Sequence, residues 1–260
     1  MVFRFDTGMQ HIKDRNIRER EHFDVLVEST GDVWWGHKTS AGHERLHRRA
    51  ELARDRLRGF SDPFVLEVGC GTGAFSKHLL EALPSLHLVC CDISPKAVRA
   101  ATGALSVYGN VDVEEANACS LKYDSSTFDA IVGVSILHHI PVEKAVSECY
   151  RVLKPGGVIW FSEPNMLNPE ALIELKVHFL GKIAQKSEDE TAFIRWNFVK
   201  LLKGAGFEDI DVRPFDFLHP FVPKRLIGII EILGHAAEHI PLLREIAGSL
   251  EIYACKPQSK

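Results

Sequence analysis

The stretch FVLEVGCGTGAFS, residues 64–76, decides how the rest of the chain is interpreted. Its first five residues are apolar apart from Glu67, and three glycines follow at alternate positions, Gly69, Gly71 and Gly73. A strand that runs into a glycine-rich turn and then a helix is typical of ligand-binding loops, because glycines let backbone amides approach a bound group closely. The stretch therefore predicts a ligand at the end of a strand, beside a carboxylate.

The glycine spacing alone leaves two kinds of ligand open. Gly69, Gly71 and Ala74 satisfy the dinucleotide pattern G-x-G-x-x-G/A, and Asp92 lies near the expected distance for a ribose-binding acid. Two features argue against a dinucleotide. The glycines alternate strictly, and the carboxylate of Glu67 suits a cationic ligand better than a pyrophosphate.

Composition limits the class of protein. The chain has 260 residues, 45% of them hydrophobic, which is enough for one domain with caps. The formal net charge of −4 disfavours a dedicated nucleic-acid binder. Charges stand where a signal peptide would need an apolar core, and no stretch approaches the roughly 20 apolar residues of a membrane span. Six cysteines without a C-x-x-C pair predict reduced thiols and a cytoplasmic location.

Strand and helix patterns alternate from residue 63 onward. The predicted strands are FVLEV, LHLVCCD, VDVEEAN, FDAIVGVS and GGVIWFSE, and two more are predicted in GFEDIDVRPF and SLEIYACKP. This alternation predicts an α/β fold, a doubly wound and mostly parallel sheet that binds ligands at the carboxyl ends of its strands. We expect a helical cap segment over residues 1–60 and a core over residues 61–257, with cap inserts at about 164–200 and 215–247.

The segment SAGHERLHRRAELARDRLRGF predicts a helix that begins near Ser40. Its arginines could form a phosphate-binding stripe or lie on a solvated face. The interspersed acids Glu44, Glu51 and Asp55 favour the solvated face.

Four stretches in order, LEVGCGTG, VCCDISPKAV, FDAIVGVSILHHI and VLKPGGVIWFSEPN, resemble the class I S-adenosylmethionine-dependent methyltransferases. The resemblance runs over residues 64–163, resumes at 204–257, and is strongest to the small-molecule branch called type 11 or 12. It implies a Rossmann-like seven-stranded sheet with the last strand antiparallel. It also implies S-adenosyl-L-methionine as cofactor.

The resemblance assigns cofactor roles to residues at the strand ends. The loop of residues 69–73 would cradle the methionine portion, with Glu67 supporting its amino group directly or through water. Asp92 would accept hydrogen bonds from both ribose hydroxyls. Further cofactor contacts are implied for Ile93, Asn117, Ala118 and Ser135. Asn117 stands where the family commonly has Asp, and an amide oxygen can still accept a hydrogen bond from the adenine amino group.

His138 and His139 follow the fourth predicted strand, near where the reacting sulfur would lie. A histidine can act as a general base for a hydroxyl acceptor. The alternative is that the pair forms a structural turn, as it often does in this family. The chain's 13 histidines are scattered without ligand spacing, so we expect no metal.

The acceptor pocket is expected beneath the cap segments. Aromatic rings mixed with hydrogen-bonding groups suit a sugar or polyketide-like ring, and the alternative is ordinary packing under a lid. The candidate pocket residues are Trp34, Trp35, Glu163, Asn165, Arg195, Trp196 and His219. The apolar stretch RLIGIIEILGHAAEHIPLL could contact a membrane, but its sparse charges favour a lid or a dimer contact.

These patterns predict a methyltransferase acting on a small molecule, at a hydroxyl of a sugar or natural product. We expect a monomer or homodimer that binds no nucleic acid and does not insert stably into a membrane. Two alternatives stay open. One is a methyltransferase with a lipid-linked, nucleic-acid or protein substrate, and the other is a module that binds the cofactor without catalysis.

Overall fold

The computed structural model describes residues 6–29, 36–169 and 194–258, with side chains of the first helix described from residue 17 onward. The predicted Trp34 and Trp35 lie outside the described residues, as does most of the predicted insert at 164–200. All six cysteines are described, and none of them forms a disulfide. In the described part of the chain, no helix is long and apolar enough to cross a membrane.

A seven-stranded sheet forms the centre of the molecule, in the order β3-β2-β1-β4-β5-β7-β6. The strands are β1 (Phe64–Val68), β2 (His87–Asp92), β3 (Val111–Glu115), β4 (Phe128–Val134), β5 (Leu153–Pro164), β6 (Glu208–Phe215) and β7 (Ser249–Cys255). Strands β1 to β5 pair in parallel, and β7 lies antiparallel between β5 and β6. The predicted Rossmann-like sheet with an antiparallel last strand is confirmed.

Helices cover both faces of the sheet and its edge. They are α1 (Asp6–Ser29), α2 (Ser40–Leu57), α3 (Ala74–Ala82), α4 (Pro95–Leu105), α5 (Val142–Val152), α6 (Arg195–Gly204), α7 (Ile227–Glu238) and α8 (Pro241–Arg244). Local sequence sets several of the starts. The Thr39 side chain accepts a hydrogen bond from the Gly42 amide at 2.9 Å, and Ser94 caps α4 ahead of Pro95.

The core lies in two layers because successive residues of a strand face opposite sides of the sheet. Val65 packs in the layer formed with α2, α3 and α4, which also contains Trp160 and Leu79. Leu66 packs in the layer formed with α5 and α6, which also contains Phe161 and Phe198. The glycine turn after β1, the end of β2 and the end of β4 therefore meet at one edge of a rigid sheet.

Candidate functional site

The turn after β1 is held in shape by the neighbouring strand. The amides of Gly69 and Cys70 donate to the Cys91 carbonyl oxygen at 2.8 and 3.0 Å. Gly69, Gly71 and Gly73 all have positive φ angles, of 70°, 54° and 84°. Residues other than glycine rarely adopt this conformation, so the alternating glycines follow from the backbone path of the turn.

The three glycines differ in what surrounds them. A Cβ on Gly69 would lie 2.4 Å from Ile136, and a Cβ on Gly73 would lie 3.2 Å from Leu105. A Cβ on Gly71 would meet no atom within 4 Å. Close packing against the protein therefore accounts for Gly69 and Gly73, whereas Gly71 borders open space at the strand ends.

Asp92 connects the glycine turn to the next helix. Its Oδ2 accepts a hydrogen bond from the Gly71 amide and its Oδ1 accepts one from the Ser94 amide, both at 2.9 Å. Burial raises the pKa of Asp92, and hydrogen bonds from the Ser94, Gly71 and Ile93 amides oppose that rise. Each carboxylate oxygen keeps a second lone pair, so the group can still accept a hydrogen bond from a ligand.

Glu67 is the most deeply buried acid of the turn, with 1% of its surface exposed. The Cys90 thiol lies 3.5 Å from its Oε2. Burial raises the pKa of Glu67 to about 7. A carboxyl group in this state favours a positively charged neighbour, which would recover part of the free energy lost on burial.

The remaining residues predicted to bind cofactor lie at the same edge. Asn117 forms a turn in which its Oδ1 accepts from the Cys119 amide at 2.8 Å. Ala118 is buried beside it, and Ile93 is half-buried after β2. Ser135 is exposed at the end of β4 with a φ angle of 54°. A non-glycine residue in this conformation costs free energy, and such residues cluster at functional sites.

His138 and Glu163 form a buried pair at the ends of β4 and β5. The distance between His138 Nδ1 and Glu163 Oε2 is 2.7 Å. The other oxygen, Oε1, accepts from the amides of Ile136 and Leu137 at 2.9 and 2.8 Å. Burial raises the pKa of Glu163 to about 7 although these amides oppose the rise. Glu163 thus fixes both the turn and the orientation of the His138 ring.

His139 packs against α1. Its Nδ1 is 3.4 Å from Glu19 Oε2, and its ring packs edge-on against Phe23 with centroids 4.9 Å apart. The rings of His138 and His139 are 3.9 Å apart. The pair therefore couples the end of β4 to the first helix.

Helix α1 crosses the edge that carries these groups. Asp24 Oδ1 accepts a hydrogen bond from the Ser94 hydroxyl at 2.5 Å, and Glu28 pairs with Lys96 at 2.5 Å. A second ion pair joins Arg20 to Glu115 at 3.4 Å. These contacts place α1 across the carboxyl ends of β2, β3 and β4.

Glu163 and Asn165, which the sequence predicts to line the acceptor pocket, are both buried, and their role toward an acceptor stays a prediction. Asn165 is 1% exposed, and its two N–H groups donate to the carbonyl oxygens of Glu245 and Ala247 at 2.9 and 2.8 Å. Its Oδ1 accepts from the Leu167 amide at 3.2 Å. Both side chains form hydrogen bonds within the protein. Glu163 binds the turn that carries His138, and Asn165 binds the segment before β7.

The other predicted pocket residues lie near the surface. Arg195 Nε is 3.0 Å from Glu245 Oε2, and its guanidinium lies over the Trp196 ring at 4.8 Å. Trp196 itself is 51% exposed. His219 is exposed, and its Nδ1 accepts from the Phe221 amide at 3.3 Å. Their role toward an acceptor stays a prediction.

Sequence reasoning missed a set of ion pairs that attaches α2 to the segment between β6 and β7. Arg45 and Arg49 both lie 2.8 Å from Asp216 Oδ2. Arg48 forms a bidentate pair with Glu238 at 2.8 and 2.6 Å. These arginines do not lie on the solvated face that the sequence favoured, because their acidic partners come from a distant part of the chain.

Charge and burial act against each other in this cluster. Burial lowers the pKa of Arg49 to about 10. Burial alone would raise the pKa of Asp216, but the charges of Arg49 and Arg45 hold it well below its usual range. Arg49 also donates to the Ser162 and Ser249 hydroxyls at 3.1 and 2.8 Å, which extends the attachment to β5 and β7.

Among the residues that the structure describes, no group of three or more His, Cys, Asp or Glu side chains could hold a metal ion. The described groups at this edge are a glycine turn, the carboxyl groups of Glu67, Asp92 and Glu163, and a histidine oriented by Glu163.

Comparison with known proteins finds sequence relatives of this chain. Residues 65–157 match a family described as "Methyltransferase domain". The chain is 26% identical over 200 residues to a demethylmenaquinone methyltransferase of Chlorobaculum tepidum, covering 70% of this chain and 81% of that protein. It is 29% identical over 161 residues to erythromycin 3''-O-methyltransferase of Saccharopolyspora erythraea, covering 57% of this chain and about half, 52%, of that protein.

A solved structure shares the fold. It is an S-adenosylmethionine-dependent methyltransferase of Thermotoga maritima, described as a possible histamine N-methyltransferase. It superposes with a TM-score of 0.60 at 19% identity, covering 91% of this chain and 99% of that one. A class I S-adenosylmethionine-dependent methyltransferase of the type 11/12 kind is supported by the family match over residues 65–157, and also by the glycine turn, the acid after β2 and the strand order.

Proposed function

We propose that this protein transfers the methyl group of S-adenosylmethionine to a small-molecule acceptor, at a hydroxyl of a sugar or natural product. Family membership supports the reaction class. The observation that supports a small acceptor is the position of α1, which crosses the ends of β2, β3 and β4 through Arg20, Asp24 and Glu28. A site enclosed by a helix favours a compact acceptor over a protein or nucleic-acid chain.

The residues at the strand ends fit the cofactor. The test is the space beside Gly71, where a Cβ would meet nothing within 4 Å although both neighbouring glycines are closely packed. Close approach of a ligand to bare backbone is therefore possible at that one position. The buried carboxyl group of Glu67 and the half-buried one of Asp92 flank the turn, in accord with a ligand that carries an ammonium group and ribose hydroxyls.

When bound, S-adenosylmethionine supplies a methyl group activated by a sulfonium centre. We assign its methionine portion to the turn at residues 69–73, with Glu67 as the acceptor for the amino group. Asp92 would accept from the ribose hydroxyls. Ile93, Asn117 and Ala118 would then contact the adenine ring, because they follow β2 and β3 at the same edge.

His138 is the group we propose for removing the acceptor's proton. Glu163 holds its Nδ1 at 2.7 Å, so proton exchange with an acceptor would run through Nε2, the other ring nitrogen. The positive charge that forms on the ring would be stabilised by Glu163 in its ionised form. This is the carboxylate–histidine arrangement that orients a general base in other enzymes.

The relatives support a small acceptor, and one of them supports methylation at oxygen. One of them is named as an O-methyltransferase of erythromycin, and another as a methyltransferase of demethylmenaquinone. Both named substrates are small molecules. The aligned stretches are only 29% and 26% identical to this chain, so its acceptor stays a proposal.

The test is to incubate the purified protein with methyl-labelled S-adenosylmethionine and fractionated cell extract, and to identify the labelled product by mass spectrometry. We expect label in a small molecule, bonded to oxygen. His138→Ala should abolish most of that label, and Glu208→Ala, at an exposed acid far from the site edge, is the matched control. Label found only in protein or nucleic acid would refute the proposed acceptor class.

A further inference from the structure

Helix α7 exposes apolar residues to solvent and turns its acidic residues toward the protein. Ile229, Ile232 and Leu233 are 58%, 71% and 61% exposed. Its two acids lie on the opposite side, where Glu238 pairs with Arg48 and Glu231 is half-buried. A surface helix of a globular protein normally buries its apolar stripe and exposes its charges. The outward face of α7 is therefore typical of a surface that contacts a protein or a membrane.

The exposed apolar surface continues on both sides of α7. Nine of the thirteen large hydrophobic residues that are exposed in the described part of the chain lie between residues 221 and 246. We call this set the apolar face. Its members are Phe221, Leu226, Ile229, Ile232, Leu233, Ile240, Leu242, Leu243 and Ile246. Leu242 is 87% exposed, so α8 contributes to the same surface.

The fully exposed charged side chains of the segment that carries the apolar face have one sign. Residues 216–248 are all described, and the exposed charged side chains among them are Lys224 and Arg225, just before α7. The carboxylates of this segment are buried or half-buried. Asp216 is buried against arginines of α2, and Glu245 pairs with Arg195. An apolar surface with a cationic border is complementary to anionic lipid headgroups above an acyl layer.

We propose that the apolar face is a membrane-docking surface, and that it binds the interface of a bilayer containing anionic phospholipid. Its apolar side chains would enter the boundary between headgroups and acyl chains, while Lys224 and Arg225 contact phosphate. A second copy of the chain is a weaker candidate. In a two-fold contact through this face, the same segment of the second copy would offer Lys224 and Arg225 no fully exposed carboxylate to pair with.

The topology gives this surface a functional position. The segment follows β6, which runs parallel to β5 because both are antiparallel to β7. It therefore leaves the sheet at the edge that carries the glycine turn. Docking would place that edge near the bilayer. The inference goes beyond the proposed methyl transfer and does not depend on which acceptor is used.

The experiment is vesicle co-sedimentation of the full chain. One set of vesicles contains equal parts of phosphatidylcholine and phosphatidylglycerol, and the other contains phosphatidylcholine alone. We expect the protein to sediment with the anionic vesicles and to do so less at high salt. The double variant Ile232→Glu with Leu233→Glu should lower the bound fraction about tenfold or more, because two apolar side chains would carry charge into the interface.

Two variants make the result specific. Val107→Glu adds the same charge at an exposed apolar residue, 83% accessible, in the turn after α4, and should bind like the unmodified protein. Lys224→Ala with Arg225→Ala should weaken binding and reduce its salt dependence. All the substituted side chains are exposed, so circular dichroism should show an unchanged fold.

Three results would overturn the inference. One is an unmodified protein that stays in the supernatant with anionic vesicles at low salt. Another is binding that the Ile232 and Leu233 double variant leaves intact. The third is a dimer, seen by light scattering, that the double variant converts to a monomer while no vesicle binding occurs. That last result would assign the apolar face to a second copy. The assay involves no methyl transfer, so failure of the proposed function would leave it unaffected.

Discussion

Replacing Glu67 by glutamine should change how the stability of the protein depends on pH. Burial raises the pKa of Glu67 to about 7, against an ordinary value of 4.5. A folded-state pKa above the unfolded one means that the native protein binds the proton more tightly. The stability from this group is therefore fully present below pH 4.5 and is lost as the pH rises through 7.

The size of the effect follows from that shift. At about 1.4 kcal/mol per pKa unit, most of the change falls between about pH 5 and pH 8 and amounts to about 2–3 kcal/mol. Glutamine cannot ionise, so this loss should be missing in Glu67→Gln. The free energy of unfolding of the variant, relative to the unmodified protein, should rise by that amount across the interval.

Urea denaturation of both proteins without cofactor, at several pH values between about 5 and 8, measures this difference. Other titrating groups are present in both proteins and cancel in the subtraction. Glu208→Gln, at an exposed carboxylate, is the control for removing one negative charge from the chain. A difference in stability that does not vary with pH would refute the reasoning, since it would mean that Glu67 is not held in a desolvated site.

Three further predictions test other parts of the structure. Gly71→Val should abolish binding of S-adenosylmethionine in calorimetry, because the side chain would occupy the open space of the cradle and resist a positive φ angle, and normal binding would contradict the cradle. His138→Ala should lower the rate constant for methyl transfer about 10²–10⁴-fold with cofactor affinity nearly unchanged. Glu163→Gln should also shift the pH profile of the rate. A loss within roughly tenfold for His138→Ala would mean that proximity of the reactants is the main source of catalysis. Asp216→Asn should lower the free energy of unfolding by about 3–5 kcal/mol, because it leaves Arg49 buried without its charge partner, and a loss below about 1 kcal/mol in urea denaturation would show that the pair is not effectively buried.

Local sequence was enough to predict the sheet and the residues around the glycine turn. Strand β1, the turn and α3 are contiguous, and Asp92 ends the next strand, so no long-range information is needed to bring them to one edge. The start of α2 near Ser40 is likewise predicted from local sequence, and the structure shows Thr39 as its capping residue. The conformation of Ser135 was not predicted, because a positive φ at a serine leaves no compositional signal.

Roles that depend on distant partners could not be predicted in this way. The sequence predicts Asn165 as a pocket residue and gives no sign that its N–H groups donate to carbonyl oxygens about 80 residues later in the chain. The α2 arginines looked solvated because Asp216 and Glu238 lie more than 160 residues away. The outward apolar face of α7 also depends on tertiary structure, since the pairing of Glu238 with Arg48 decides which side of the helix faces the protein.

Calorimetric titration with S-adenosylmethionine, and in parallel with NADH, tests the central claim most directly. We expect S-adenosylmethionine to bind with micromolar affinity, near −8 kcal/mol, and NADH to give no binding heat. Asp92→Ala should weaken the binding of S-adenosylmethionine by about 1.5–3 kcal/mol, because a charged acceptor that also holds the Gly71 amide is removed. Tight binding of NADH with none of S-adenosylmethionine would contradict the assignment of this site.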